Sequence, residues 1–212
     1  MARKTLGLRR NLKEDIRRAA IINAAVKVFS ERGYDHATMD DIASEAGFSK
    51  SLTYWYWKNK ASLFSELIDL CMKPYCDQLQ KFLNSDERFT KRFNQWLWEF
   101  GELHQRSMAL NKLVHFASLH SNPGKDENFK EKVNGYYNIV IKHIEDFFQQ
   151  GVDSGDVRKG VDLQAVALTF MAGIEGYLYM SILQERMPVQ RALLQMVSNY
   201  IMPNILVEKK VG

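Results

Sequence analysis

Residues 38–57 read Thr38-Met39-Asp40-Asp41-Ile42-Ala43-Ser44-Glu45-Ala46-Gly47-Phe48-Ser49-Lys50-Ser51-Leu52-Thr53-Tyr54-Trp55-Tyr56-Trp57. Thr38 is the expected N-cap of a short helix over 39–46, with Asp40 and Asp41 in the first turn, where the helix dipole favours acids. Gly47 ends that helix. Ser49 caps a second one that runs to about Tyr56. Ile42, Ala43, Ala46 and Phe48 supply a small, tight core. The second helix presents Lys50, Ser51, Tyr54, Trp55 and Tyr56 where an apolar stripe would otherwise stand. Two short helices joined by a glycine turn form a helix-turn-helix, whose second helix enters the major groove of double-stranded DNA.

Outward from this stretch almost every segment has helical periodicity, and none alternates as a strand does. A first helix over about 13–32 places Ile22, Ala25, Val26 and Phe29 on one stripe, and Gly33 stops it. Asn59 caps a long fourth helix that starts at Lys60. Pro74 lies within it and marks either a kink or the helix end. Further on, Phe93, Trp96, Leu97, Phe100 and Leu103 make one stripe, and Val133, Tyr136, Tyr137, Val140, Ile141, Ile144 and Phe148 another. Breaks are expected at Asn84–Asp86, at Ser121-Asn122-Pro123-Gly124 and from Gly151 through Gly160. The last two helices, about 162–185 and 188–207, meet at Met187-Pro188. The expected fold is all-α: three small helices and about six larger ones, nine in total. The expected domains are 1–60, a DNA-binding domain with a basic N-terminal arm, and 61–212, a helical ligand-binding and dimerisation domain.

Charge supports that division. The chain carries 29 Lys/Arg against 25 Asp/Glu, yet residues 1–60 alone hold 12 against 7, so the rest is nearly balanced at 17 against 18. A basic module on a neutral body is the electrostatic footprint of nucleic-acid binding. Arg3, Lys4, Arg9, Arg10, Lys13, Arg17 and Arg18 form a basic N-terminus. It is either an arm lying along phosphates or in the minor groove, or a solvated tail; Arg17 and Arg18 belong on the first helix.

Other function classes lack their residues. The basic Met1–Lys13 stretch has no apolar core of the signal-peptide kind, and no later segment runs 18 residues without a charge or strong polar break, so a cytoplasmic protein without a membrane partner is expected. Cys71 and Cys76, five residues apart on one helix, point to different faces and suit neither a disulfide nor a metal pair. His36, His104, His115, His120 and His143 lack metal-ligand spacing, and no phosphate loop or nucleophile motif occurs. No catalytic residue, metal or cofactor is expected.

The run Gly33-Tyr34, Thr38-Met39-Asp40-Asp41-Ile42-Ala43, Ala46-Gly47-Phe48-Ser49-Lys50-Ser51, Tyr54-Trp55-Tyr56, Lys58-Asn59-Lys60 and Leu63 resembles the tetracycline-repressor (TetR) family across about the first 65 residues. The resemblance implies that Thr38, Tyr56 and Lys60 contact phosphate and that Lys50, Ser51 and Trp55 face the groove. Ser49, Leu52 and Tyr54 complete the expected DNA-binding set, with packing as the alternative for Tyr54 and Tyr56. The order Leu52-Thr53 inverts the family's usual small-polar-then-leucine pair. Either Leu52 sits on the DNA side, within reach of a thymine methyl, or the helix rotates and Leu52 enters the core. Trp57 replaces the commoner Phe.

The remaining length and helix content resemble the family's sensor domain. That implies a homodimer acting as a repressor at a palindromic operator and released by a small apolar or aromatic effector. Trp96, Phe100, His104, Phe116, Tyr137, Glu175 and Tyr177 are the expected effector-binding residues, Glu175 and Tyr177 as neighbours able to hold a cation. Gly173, with Val189, Leu193, Met196, Val197 and Tyr200, is expected at a four-helix dimer interface, unless these residues are buried within one chain. The alternative function is a DNA-binding protein of the same fold with no small-molecule inducer: an activator, or a chromosome-associated or partner-regulated factor.

Overall fold

The structure, a computed structural model, describes residues 2–120, 129–184, 191, 195, 197, 199 and 202–207, and the side chains among them except those of 2–11, 116–120, 181 and 182. Among the described residues the chain is all-α. The helices are α1 Ala2–His36, α2 Met39–Glu45, α3 Lys50–Tyr56, α4 Lys60–Leu83, α5 Phe89–Arg106, α6 Met108–His120, α7 Phe129–Asp153, α8 Leu163–Leu183 and α9 Met202–Ile205. An isolated antiparallel bridge joins Val157 to Leu206.

The helix expected over 13–32 reaches back to Ala2 and on to His36, so the basic N-terminus is helical backbone. Gly33 (φ 74°) breaks it near the end, a left-handed conformation that costs glycine little. Its buried stripe is Ile21, Ala24, Ala25, Val28 and Phe29, with Ile22 and Val26 half-buried at the edge. The expected stripe was rotated by one residue because it left out the small Ala24, which lets α1 lie close to its neighbours.

The chain divides into two compact units, Met1–Leu70 with Ala109–Lys130, and Cys71–Met108 with Glu131–Gly212. The division falls inside α4, not after residue 60, and most of α6 groups with the N-terminal helices. In the first unit Phe64 of α4 is the centre of a ring cluster, 5.4 Å from Phe29, 5.0 Å from Tyr34 and 4.8 Å from Phe129 between centroids. Surface ion pairs Lys27–Glu45, Arg32–Asp41 and Lys50–Asp40 run between α1, α2 and α3, each worth at most about 1 kcal/mol.

The second unit is built on stacked and tilted phenylalanines: Phe93 lies within 6.0 Å of Phe89, Phe147, Phe148 and Phe170. Arg92 is buried beside them. Its Nη1 donates to the Phe82 and Ser85 carbonyls and to Gln150 Oε1, and its guanidinium lies 5.0 Å from the Phe147 ring centroid. Arg92 thus closes the C-terminal end of α4, whose last carbonyls have no helical partner. Helix α4 itself continues through Pro74, so that residue is not its end. Helix α7 likewise passes the expected break at Gly151. A Cβ there would stand 2.5 Å from Val157 Cγ2 and 2.9 Å from Phe89 Cε2. This glycine therefore serves close packing inside a helix, and the chain turns only after Asp153.

Candidate nucleic-acid interface

The helix-turn-helix is built by local hydrogen bonds. Thr38 Oγ1 accepts from the Asp41 N–H (3.1 Å), while the Asp41 carboxylate accepts from the Thr38 N–H (3.0 Å) and hydroxyl (2.7 Å). This reciprocal capping box satisfies two orphan donors at once. These bonds to Thr38, then the Arg32 guanidinium at 2.7 Å, hold the Asp41 carboxyl below the usual carboxylate range. Gly47 turns at φ 70°, and the Phe48 N–H donates back to the Ala43 carbonyl at 3.0 Å. Ser49 Oγ then accepts from the Leu52 N–H, opening α3 as expected.

Helix α3 is fixed on one side by Thr53 and Trp57, both buried. The Thr53 hydroxyl donates to the Ser49 carbonyl, so this polar residue enters the core with its hydroxyl satisfied. The inverted Leu52-Thr53 pair is thereby resolved: Thr53 packs inward and Leu52 stands half-buried on the flank. Trp57 Nε1 donates to Glu66 Oε2 at 2.7 Å, Glu66 pairs with Arg18, and the Arg18 guanidinium lies 5.9 Å from the Trp57 centroid. Glu66 is a site-supporting residue that sequence reasoning missed, and so is its pairing with Arg18 of α1, since 48 positions separate them.

The opposite side of α3 is open. Ser49, Lys50, Ser51, Tyr54 and Trp55 are exposed, Trp55 by 66%. Trp55 stands edge-on to Tyr56 at 4.7 Å, and Lys50 Nζ lies 2.8 Å from Asp40 and 5.8 Å from the Tyr54 centroid. Tyr56 is half-buried, and its hydroxyl donates to the Glu14 carbonyl of α1. Lys60 reaches across to α1 as well: Nζ donates to the carbonyls of Tyr34 (2.6 Å) and Asp35 (3.2 Å), 4.4 Å from the Tyr34 centroid. An ammonium has three donors, and these carbonyls take two. Asn59 caps α4 as expected, accepting from the Ser62 N–H at 2.7 Å.

In the second unit Trp96, Phe100 and His104 follow one face of α5 and are all buried core residues. Trp96 lies 6.0 Å from Phe100 and 5.1 Å from Phe170, and Phe100 lies 5.1 Å from Tyr75. Tyr137, Glu175 and Tyr177 are half-buried. Tyr137 of α7 donates a hydrogen bond to Glu175. Tyr177 is not its neighbour, because residues two apart on a helix point to different sides. Burial first, then the charge and hydrogen bond of Glu175, push the Tyr137 hydroxyl far above its ordinary range. The side chain of Phe116 lies outside the described residues. An open groove of about 920 Å³ runs between α4 and α5 past Pro74, Gln78 and the exposed Trp98, and none of the expected effector residues lines it.

Of the expected interface residues, Val189, Leu193, Met196 and Tyr200 lie outside the described residues. Val197 is wholly buried in the core of its own unit and offers no surface to a second copy, and Gly173 is half-buried. What α8 does expose is an apolar row: Ala165, Leu168, Ala172, Gly176, Tyr179 and Leu183, at spacings of three and four. Leu168, Tyr179 and Leu183 are 50%, 59% and 61% exposed.

A family model described as bacterial regulatory proteins, tetR family, matches residues 21–67. The fatty acid metabolism regulator protein of Bacillus subtilis (strain 168) is 24% identical over 144 residues, 68% of this chain and 72% of its own length. SmeT, the repressor of the Stenotrophomonas maltophilia multidrug efflux pump SmeDEF, superposes in its triclosan complex with a TM-score of 0.75 over 91% of this chain and 93% of that one, at 20% identity. NalD, the secondary repressor of the MexAB-OprM multidrug efflux pump in Pseudomonas aeruginosa, does so with 0.74 over 93% and 99%, at 19% identity. The matched segment begins at Ile21 of α1, the first buried residue among the described side chains, and ends in the first turns of α4, so it holds the whole capped helix-turn-helix just described. Residues 21–67 thus match the tetR family of bacterial regulatory proteins, and the relative matched over two thirds of the chain is a regulator protein.

Proposed function

We propose that the protein is a homodimeric repressor that grips a palindromic double-stranded operator with α3 and lets go when an apolar or aromatic small molecule binds its second unit. The observation that carries the reading is the open side of α3, where Lys50, Ser51 and Trp55 stand clear of the core on a helix pinned from behind by Thr53 and Trp57. Such a helix is held rigid while its outer groups remain available to base edges. In this reading Lys50, Ser51 and Trp55 read bases, and Leu52 on the flank meets a thymine methyl. Thr38, Tyr56 and the third donor of Lys60 meet phosphate, which positions the helix without reading sequence.

The apolar row of α8 supports the dimer. A helix hydrophobic on every side belongs in an interior, and a second copy of α8 supplies one. Two reading heads related by a two-fold axis require matching half-sites. The effector reading draws support from the relatives, one named for fatty acid metabolism and one bound to triclosan, both apolar chemistry. The described helices include none long and apolar enough to cross a membrane, in keeping with action in the cytoplasm, where the DNA is. The full burial of Trp96 and His104 favours the second reading, a regulator of the same fold with no inducer.

Selection from a random duplex pool tests the first claim. Palindromic sequences are expected, bound with an affinity that falls steeply with salt as counterions are released. Equal affinity for selected and random duplexes at moderate salt overturns it. A melting-temperature screen of apolar compounds, with hits assayed for operator release, separates the effector reading from the inducer-free one.

A further inference from the structure

Helix α2 carries three acids, and each meets a different base. Asp41 pairs with Arg32 and Glu45 with Lys27, so these two tie α2 to α1. Asp40 has its partner on the reading helix instead. Its carboxylate lies 2.8 Å from Nζ of Lys50, the first residue of α3, and both side chains are exposed. The hydrogen bond and then the charge of Asp40 hold the Lys50 ammonium above the ordinary lysine range.

An exposed acid is unfavourable in this place. Thr38, two residues before it, is the proposed phosphate contact, and the first helix of a helix-turn-helix crosses the DNA backbone. A carboxylate there repels the phosphates of every duplex alike, against the basic balance of residues 1–60. What it does to Lys50 offsets that cost. A free lysine is a point charge on a flexible four-carbon stem, and it takes whichever phosphate oxygen is nearest. Such a contact carries no sequence information. Asp40 occupies one of the three ammonium protons, and the Tyr54 ring centroid lies 5.8 Å from Nζ, so the stem is confined between them. Two protons remain, and the major-groove edge of guanine offers two acceptors, O6 and N7.

We propose that Asp40 determines specificity: it holds Lys50 off the phosphates and leaves it to read a guanine in the major groove. This rests on α3 being the DNA-reading helix and deepens that reading. Asp40 touches no base and is a positioning residue that acts through Lys50. The pair is neutral as a unit, so it adds little to the binding of arbitrary sequence. It gains affinity only where base acceptors stand within reach of the two remaining protons, and the repulsion of Asp40 penalises every other register.

The test uses the full chain, a random-sequence duplex, and the duplex selected by the unaltered chain with its single-base-pair variants, each titrated over a series of salt concentrations. Asp40→Asn should bind the random duplex about tenfold tighter at low salt and steepen the salt slope by about 1, as one more phosphate contact does. Discrimination at one G·C pair should fall about fivefold or more. Asp40→Glu, which keeps the charge, should retain that discrimination. Lys50→Ala should lose it, and adding Asp40→Asn to Lys50→Ala should change the preference at that pair no further. If Asp40→Asn weakens both duplexes with the slope and the discrimination unchanged, its role is structural and the inference is overturned. Unchanged binding and discrimination in Asp40→Asn overturns it too, while loss of the G·C preference in Lys50→Ala would leave the reading of α3 standing. No loss of preference in Lys50→Ala removes the base-reading role of Lys50 and this inference with it.

Discussion

Helices α3 and α8 both present large side chains to the outside, and the company those side chains keep differs. On α3 the exposed Trp55 and Tyr54 are interleaved with Ser49, Lys50 and Ser51, so any partner must offer acceptors and negative charge as well as flat surface. On α8 the exposed Leu168, Tyr179 and Leu183 alternate with Ala165, Ala172 and Gly176, so the row is apolar and its small residues leave room for another backbone. Exposure of aromatic surface does not by itself name a partner. A hydroxyl- and lysine-rich surround selects nucleic acid, and a small-residue surround selects a copy of the same helix.

The largest effect that can break this comparison is on α8. Leu168→Asp or Tyr179→Asp buries an unpaired charge in the proposed dimer, at a cost on the order of 3–5 kcal/mol. Sedimentation equilibrium should then show monomer. A dimer of unchanged affinity in both variants places the interface elsewhere, and α8 would no longer be the apolar counterpart of α3.

Next come substitutions that separate reading from positioning on the DNA side. Lys50→Ala or Trp55→Ala should cost about 1–3 kcal/mol on the selected operator and alter the preferred base at one position. Lys60→Ala should weaken all duplexes alike and lower the salt slope by about 1. The same change should also destabilise the free protein by about 1 kcal/mol, because the carbonyls of Tyr34 and Asp35 lose their donor. A change of base preference with Lys60→Ala and none with Lys50→Ala would reverse the assigned roles.

A smaller effect sharpens the picture of the α3 flank. Leu52→Ala should cost under about 1 kcal/mol in stability, as a half-buried position does, yet shift preference at a thymine. A large stability loss with no change of preference would make Leu52 a packing residue.

The smallest concerns the capping box. The folded-state pKa of Asp41 is lowered by its bonds to Thr38 and then by Arg32, so its contribution is complete above the ordinary carboxylate pKa of about 4 and is lost as pH falls through the lower folded value. Relative to the intrinsic rate, which itself slows on acidification, the protection of the α2 amides should therefore fall as pH drops, and Asp41→Asn should flatten that dependence. Helix α8, whose cap at Asp162 lies in the other unit, supplies the internal reference.

The DNA-facing half of this protein was legible because its determinants are local. Thr38 with Asp41, Ser49 with Leu52, and Asn59 with Ser62 each act within three residues, a range that a sequence displays directly. The exceptions are instructive. Tyr56 and Lys60 have a fixed spacing from the motif, but their polar tips end on carbonyls of α1, 42 and 26 positions away. The buried stripe of α1 was displaced by one position because alanine gives a weak periodic signal. Gly151 looked like a break because glycine usually is one, and only the approach of Phe89 and Val157 gives its real reason.

The sequence by itself determined the helical class, the caps, the helix-turn-helix and its outward polar face, since each follows from hydrogen bonds and periodicities spanning about one turn. Only the tertiary structure decided that Thr53 and not Leu52 enters the core, that Arg92 and Gln150 together close the end of α4, that Val197 belongs to the chain's own interior, and that Tyr137 comes to Glu175. Each of those outcomes depends on which helices come to lie side by side. That is settled by burying the apolar surface of whole helices, and a long polar side chain then takes whichever partner the packing brings within reach.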